Sequence, residues 1–293
     1  MHFIDAKTIL TPRSMNIYRG CSHGCIYCDS RSKCYQFTHD FEDIEVKQNA
    51  PQLLEDALCR KRRRCMIGTG SMGDPYIPIE KELCLMRQCL EIIERRNFGA
   101  TLITKSDLVL RDLDLLDRIN KKTKAVVQMT LTTADDNLCR MIEPGVCPTS
   151  RRFEVLCECK KLGIPTVVWF SPLLPFINDT EENIKGIVDL CVQAGVKAIL
   201  CFGIGLTLRE GNREYFYDAL DRLAQRDSRF AGMKERYIKK YGYRYEVSSP
   251  HGRKLYYLLL ELCKQKGIMF GTDSVFKWIE EFPQDSLQPG LFD

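Results

Sequence analysis

The feature that most constrains this chain is its alternation of short, almost continuously apolar runs with helical stretches. The runs MNIYRG (15–20), CMIGTG (65–70), ATLITK (100–105), AVVQMTLTT (125–133), PTVVWFS (165–171) and AILCFGIG (198–205) are rich in β-branched residues. Strands of this kind are buried on both faces, which points to a parallel sheet covered by helices, an α/β fold. Between the runs, apolar residues recur at helical spacing. Leu83, Met86, Leu90 and Ile93 form one face; Ile184, Ile187, Val188 and Cys191 form another. Asp179 and Glu182 stand at capping-box spacing and predict the start of the second of these helices. Six such units fit either an open doubly wound sheet or a partial barrel. In both, functional loops follow the C-terminal ends of the strands. GCSHGCIYC, GTGSMGDPY, TKSD, TLTTADD, SPLLPFIND and GIGLTLREGN occupy those places.

Beyond about residue 210 the rhythm stops. REYFYDALDRLAQ, GMKERYIKKYGY and GRKLYYLLLELCKQKG predict helices, followed by a loose tail, SLQPGLFD. The expected organisation is a core over 1–210 with a helical C-terminal extension over 211–293 packed on it. With 293 residues, 44% hydrophobic and 28% charged, a packed globular core is expected. No apolar run approaches the roughly 20 residues that cross a bilayer. The opening MHFIDAKTILTPRS lacks the apolar core and cleavage site of an export signal, so the expectation is a cytoplasmic protein without a membrane partner.

A net charge of +4 is too mild to imply nucleic acid by itself. CRKRRRC (59–65) reads as a solvated helix end. KERYIKKYGYRYE (234–246) interleaves aromatics with cations, a pattern that grips phosphates while stacking bases. An amphipathic helix with tyrosines in its core face accounts for it equally well.

Fifteen cysteines would suggest disulfides in an exported chain, but the count is odd and no signal precedes them. Cys84, Cys89, Cys157 and Cys191 sit in helical patterns and read as small buried hydrophobes. RGCSHGCIYCDSRSKC (19–34) is different, because its spacing is tight and local. Cys21, Cys25 and Cys28 follow C-x3-C-x2-C, and Cys34 is the one neighbour that could complete a four-ligand zinc site. Three thiolates on a tight loop instead suit an iron–sulfur cluster that leaves one iron open to a small molecule.

This spacing, with Tyr27 immediately before the last cysteine, resembles the radical S-adenosylmethionine (radical SAM) superfamily. The resemblance implies a partial (β/α)6 TIM-type barrel and a 4Fe-4S cluster on Cys21, Cys25 and Cys28. It also implies S-adenosylmethionine on the open iron, cleaved reductively to a 5′-deoxyadenosyl radical, and a flavodoxin- or ferredoxin-like reductant. Over residues 15 to 205 a closer likeness emerges. IYRGCSHGCIYC, TKSD, IEPG followed by RR, and a Pro-rich loop after the fifth run resemble the spore photoproduct lyase family. That likeness implies cofactor contacts from Tyr27, from Gly68, Thr69, Gly70 and Ser71, from Lys105 and from Thr130. The chemistry of the residues agrees: glycines admit close backbone approach, and a strand-end lysine offers a point charge to a carboxylate. Lyases of that family use a cysteine in the loop after the second strand and a tyrosine directly after the third cluster cysteine to return hydrogen to the substrate. Here those positions are Ser71 and Asp29, with Cys34 or Cys65 as possible substitutes. Three functions follow: a radical SAM enzyme acting on nucleic acid, one acting on a small molecule or peptide under a helical lid, or a non-catalytic zinc module using Cys34.

Overall fold

Buried, β-branched strands form the centre of the computed structural model, which describes residues 1–283; the tail SLQPGLFD lies outside the described residues. In chain order the strands are β1 (His2–Ile4), β2 (Leu10–Thr11), β3 (Ser14–Met15), β4 (Tyr18–Arg19), β5 (Glu45–Lys47), β6 (Met66–Thr69) and β7 (Gly99–Thr104). They continue with β8 (Ala125–Thr130), β9 (Thr166–Trp169), β10 (Ala198–Leu200), β11 (Gly205–Thr207), β12 (Glu246–Ser248) and β13 (Met269–Phe270). The helices are α1 (Ala50–Arg60), α2 (Glu80–Leu83), α3 (Leu85–Arg95), α4 (Leu113–Lys122), α5 (Asp136–Ile142) and α6 (Thr149–Lys161). After them come α7 (Glu181–Gln193), α8 (Asn212–Ala224), α9 (Met233–Tyr241), α10 (Gly252–Lys266) and α11 (Thr272–Glu280).

The main sheet has the order β13-β10-β9-β8-β7-β6-β3-β2. All its pairings are parallel except the β2–β3 hairpin. Helices cover it, and its two end strands do not pair with each other, so the fold is an α/β partial barrel. Every residue of β8 is buried, as the unbroken apolar run requires. On the outside, α3 buries Leu85, Met86, Cys89, Leu90, Ile92 and Ile93. At the N-terminal ends of the strands, Val275 and Ile279 of α11 pack with Met66, Val126, Val167 and Ala198 and plug the barrel. Arg13, in the β2–β3 turn, and Glu280 of α11 pair across its open side at 3.7 Å. The C-terminal ends of the strands stay free for a site.

Several local expectations change. MNIYRG divides: Met15 joins the main sheet, whereas Tyr18 and Arg19 pair with β5 in a separate sheet of order β1-β5-β4. EKELCLMRQCLEII is two helices, because Cys84 adopts a left-handed φ of 53° between them. Cys84 and Cys157 are only partly buried, while Cys89 and Cys191 are fully enclosed. The cap of α7 is Thr180, which accepts from the Asn183 N–H at 3.1 Å. The Asp179 carboxylate turns away to accept from the Phe176 N–H and the Ser249 hydroxyl. Beyond residue 210, α8 and α9 lead into β12, which pairs with β11. The β-α rhythm then resumes: α10 packs on α7, and β13 adds a further parallel strand beside β10. Among the described residues, no helix is long and apolar enough to cross a membrane.

Candidate active site

At the C-terminal ends of the strands lies a cavity of about 550 Å³. The cysteine loop contributes Tyr27, Cys28 and Asp29; the loop after β6 contributes Gly70 and Ser71; the ends of β7 and β8 contribute Lys105 and Thr130. Trp169, Phe202 and the β11–β12 ribbon close the other side. Of the residues picked out by the sequence, Gly68 and Thr69 are not brought here. They line a second chamber of about 640 Å³ within the barrel, together with Thr101, Gln128 and Phe276. Cys25 is buried and Cys21 half-buried behind the cavity wall.

The cysteine loop is tied down by its backbone. Cys21 N–H donates to the Phe41 carbonyl at 3.2 Å, and Ile26 N–H donates to that of Ile142 at 3.0 Å. Burial pushes the Cys21 thiol up to about 12 and the Cys25 thiol well above its ordinary value. A bound cationic centre reverses that preference and holds the sulfurs as thiolates. Among the described residues, the one trio of Cys, His, Asp or Glu ligand atoms within 4.8 Å of one another lies elsewhere, at His2, His39 and Glu45. The cysteine-loop sulfurs are not gathered into such a trio. Cys34 is exposed and takes a hydrogen bond from Arg209 at 3.3 Å. The donor set fits a multi-iron cluster better than one closed ion.

Two buried networks hold the loops around the cavity. The first is centred on Asp74, in GTGSMGD. Its carboxylate accepts from Tyr76 N–H at 2.8 Å, Thr104 hydroxyl at 2.7 Å and Lys105 N–H at 2.7 Å. The His23 Nε2 of the cysteine loop lies 3.0 Å away. Burial pushes the Asp74 carboxyl up, but His23 and these donors outweigh it and bring it down to about 2. One carboxylate thus joins the cysteine loop to the ends of β6 and β7.

The second network is centred on Glu143, in IEPG. Its carboxylate meets the Arg152 guanidinium at 2.6 Å with both side chains fully buried. Arg152 also donates to the carbonyls of Thr130 at 3.0 Å and Cys147 at 2.9 Å. The Tyr27 hydroxyl donates to Glu143, which fixes the ring against the cavity. Lys105 Nζ lies 5.9 Å from that ring centroid. Burial opposes its charge, but the Cys25 sulfur and Glu143 more than offset this and raise its pKa. Asp74, Glu143 and Arg152 were not singled out from the sequence as site residues. The available signal was charge within otherwise apolar surroundings at the quoted motifs.

Gly70 has φ of 94°, and a Cβ there would lie 2.1 Å from the Ile103 carbonyl oxygen. The glycine is therefore demanded first by the crossing of the chain over β7. Ser71 and Asp29 both line the cavity. Cys65 sits just before β6, at the plugged end of the barrel, and Cys34 lies outside the cavity lining. Neither is positioned at the cavity wall.

The rim is built differently. Arg209 donates to the hydroxyls of Tyr245 at 2.8 Å and Tyr35 at 3.2 Å and pairs with Asp29 at 3.3 Å. The tyrosines of segment 234–246 differ in burial. Tyr237 and Tyr241 of α9 are core residues, while Tyr243 is 88% and Tyr245 45% exposed.

Residues 15–191 match the family model of the radical SAM superfamily, more than half of the chain. The chain belongs to that superfamily. The cofactors of radical SAM enzymes are a 4Fe-4S cluster and S-adenosylmethionine, and they require an electron donor. An uncharacterized protein of Methanocaldococcus jannaschii is 34% identical over 187 residues, 61% of this chain and 69% of its own length. One from Mycobacterium tuberculosis H37Rv is 28% identical over 214 residues, and the match spans 69% of this chain but only 61% of that protein. A spore photoproduct lyase complexed with dinucleoside spore photoproduct superposes with a TM-score of 0.63 at 14% identity, covering 92% of this chain and 82% of the lyase. At that identity the shared property is the radical SAM fold.

Proposed function

We propose that this radical SAM enzyme acts on nucleic acid, binding a nucleotide at the rim and presenting it to the cavity. The observation that carries this reading is the ledge on which Arg209 links Asp29, at the cavity wall, to the exposed Tyr245. A guanidinium beside exposed tyrosine faces suits phosphates and stacked bases. The lyase solved with a dinucleoside lends the reading support by likeness.

Cys21, Cys25 and Cys28 would hold the cluster. When bound, the cluster and S-adenosylmethionine supply a carbon-centred radical that abstracts hydrogen. Lys105 offers its ammonium to a carboxylate, and Thr130 a hydroxyl beside it. Gly70 and Ser71 line the same side, and Trp169 and Phe202 stand across the cavity from them. Residues 211–248 serve as an extension beside the cavity, where β12 pairs with β11, while α10, β13 and α11 complete the core. A flavodoxin- or ferredoxin-like donor in the cytoplasm would supply electrons.

Repair of spore photoproduct is not the expected reaction. Ser71 offers an O–H bond far stronger than a thiol S–H, and Asp29 cannot act as a phenol. Among the described residues, Cys28 is the one cysteine lining the cavity, and it is assigned to the cluster. The test of the substrate class is binding of a single-stranded oligonucleotide to cluster-loaded protein across a salt series. Affinity should fall steeply with salt and weaken in Arg209→Ala. Absence of binding at low salt would transfer the assignment to a small molecule or peptide.

A further inference from the structure

We propose that His2, His39 and Glu45 form a second metal site, suited to a divalent transition ion such as zinc. One ring nitrogen of each histidine and a Glu45 carboxylate oxygen lie within 4.8 Å of one another. Three different segments supply them. The parallel register of β1 and β5 places His2 directly opposite Glu45, and His39 arrives from the loop that follows the cysteine cluster. The two imidazoles meet edge to face with centroids 4.8 Å apart.

The hydrogen bonds decide which nitrogens are available. His39 Nδ1 lies 2.9 Å from the Asp40 carbonyl, to which it can only donate, so the ring's lone pair is on Nε2. That Nε2 is buried, has no hydrogen-bond partner, and faces a Glu45 oxygen at 3.9 Å. Two acceptors facing each other in a shielded place repel unless a cation or an extra proton lies between them. His2 repeats the pattern: its Nδ1 donates to the Asp43 carboxylate at 3.1 Å, leaving Nε2 as its ligand atom. A carbonyl or carboxylate behind each imidazole is the arrangement that orients histidine ligands and raises their basicity. Arg19 Nη1 also stands 3.9 Å from Glu45, beyond hydrogen-bond reach, and its Nη2 is committed to the carbonyls of Tyr35 and Gln36. Two imidazoles and one carboxylate, with open positions for water, match the donor preferences of zinc and its neighbours.

The ion would fasten β1 to the segment 37–45. That segment carries the Phe41 carbonyl, which takes the Cys21 N–H, and a Cβ at Gly20 would lie 2.5 Å from the same oxygen. The site therefore braces the backbone from which the cysteine loop hangs.

The test uses cluster-loaded protein freed of excess metal, then given zinc and, separately, cobalt(II). One zinc per chain should bind beyond the iron. His39→Ala and Glu45→Gln should each weaken it by at least about tenfold to a hundredfold while leaving iron and sulfide content unchanged. Cobalt should give visible ligand-field bands without sulfur-to-metal charge transfer. Failure to retain zinc, retention insensitive to either substitution, or a thiolate charge-transfer band from the added cobalt would each overturn the proposal.

Discussion

On the side of the cavity formed by the cysteine loop and the ends of β6 to β8, the charges are buried and paired. Asp74 takes donors from the end of β7 and lies 3.0 Å from His23 of the cysteine loop, and Glu143 meets Arg152 with neither side chain exposed. On the rim, Arg209 and Asp29 pair while only partly buried, beside the exposed Tyr243 and Tyr245. The first arrangement is costly to desolvate, but once complete it holds each loop in one geometry. The second costs little and can vary without disturbing the core. We read the buried side as the part that must fit invariant cofactors and the rim as the part that meets the substrate.

The largest effect expected on the buried side is loss of the cluster. Cys21→Ala, Cys25→Ala and Cys28→Ala should each abolish iron and sulfide binding after anaerobic reconstitution, whereas Cys34→Ala should not. Loss in Cys34→Ala as well would restore the closed four-ligand site. Next comes the stability contrast. Glu143→Gln leaves Arg152 buried without its counter-charge and should cost about 3–5 kcal/mol, read as a lower denaturant midpoint. Arg209→Ala, on the partly exposed rim, should cost less, about 1 kcal/mol. Equal losses would erase the distinction between the two sides.

Much of this division was legible in the sequence, and the parts that were not have physical causes. β6 to β10 were visible because strands buried on both faces are almost continuously apolar. The spacing of Cys21, Cys25 and Cys28, and the placement of Lys105 and Thr130 at strand ends, needed only local reading. β13 was missed because two residues with half-buried side chains leave no pattern. The split of MNIYRG between two sheets depends on partners distant in sequence. Glu143 and Arg152 look like surface charges until α6 turns one onto the other. Thr180 displaced Asp179 as the cap because Ser249, seventy residues away, claims the aspartate.

Smaller effects sharpen the contrast within the cavity. Lys105→Ala should keep the cluster but weaken S-adenosylmethionine binding by about 1.5–3 kcal/mol, roughly tenfold to more than a hundredfold. Equilibrium binding to cluster-loaded protein measures it, and unchanged affinity would mean that the ammonium serves the loop alone. Tyr245→Ala should leave that affinity unchanged while weakening oligonucleotide binding by about 1–3 kcal/mol for a stacked base. A loss of cofactor affinity in Tyr245→Ala would tie the rim to the buried side.

Release of 5′-deoxyadenosine by the reduced, cluster-loaded protein tests the division most directly, followed by chromatography without added substrate. Wild type and Tyr245→Ala should both release it slowly, Cys28→Ala should release none, and added spore-photoproduct dinucleotide should remain essentially unrepaired. No 5′-deoxyadenosine from wild type under strong reduction would contradict the enzyme assignment, and efficient conversion of the dinucleotide to paired thymidines would contradict the reading of Ser71 and Asp29.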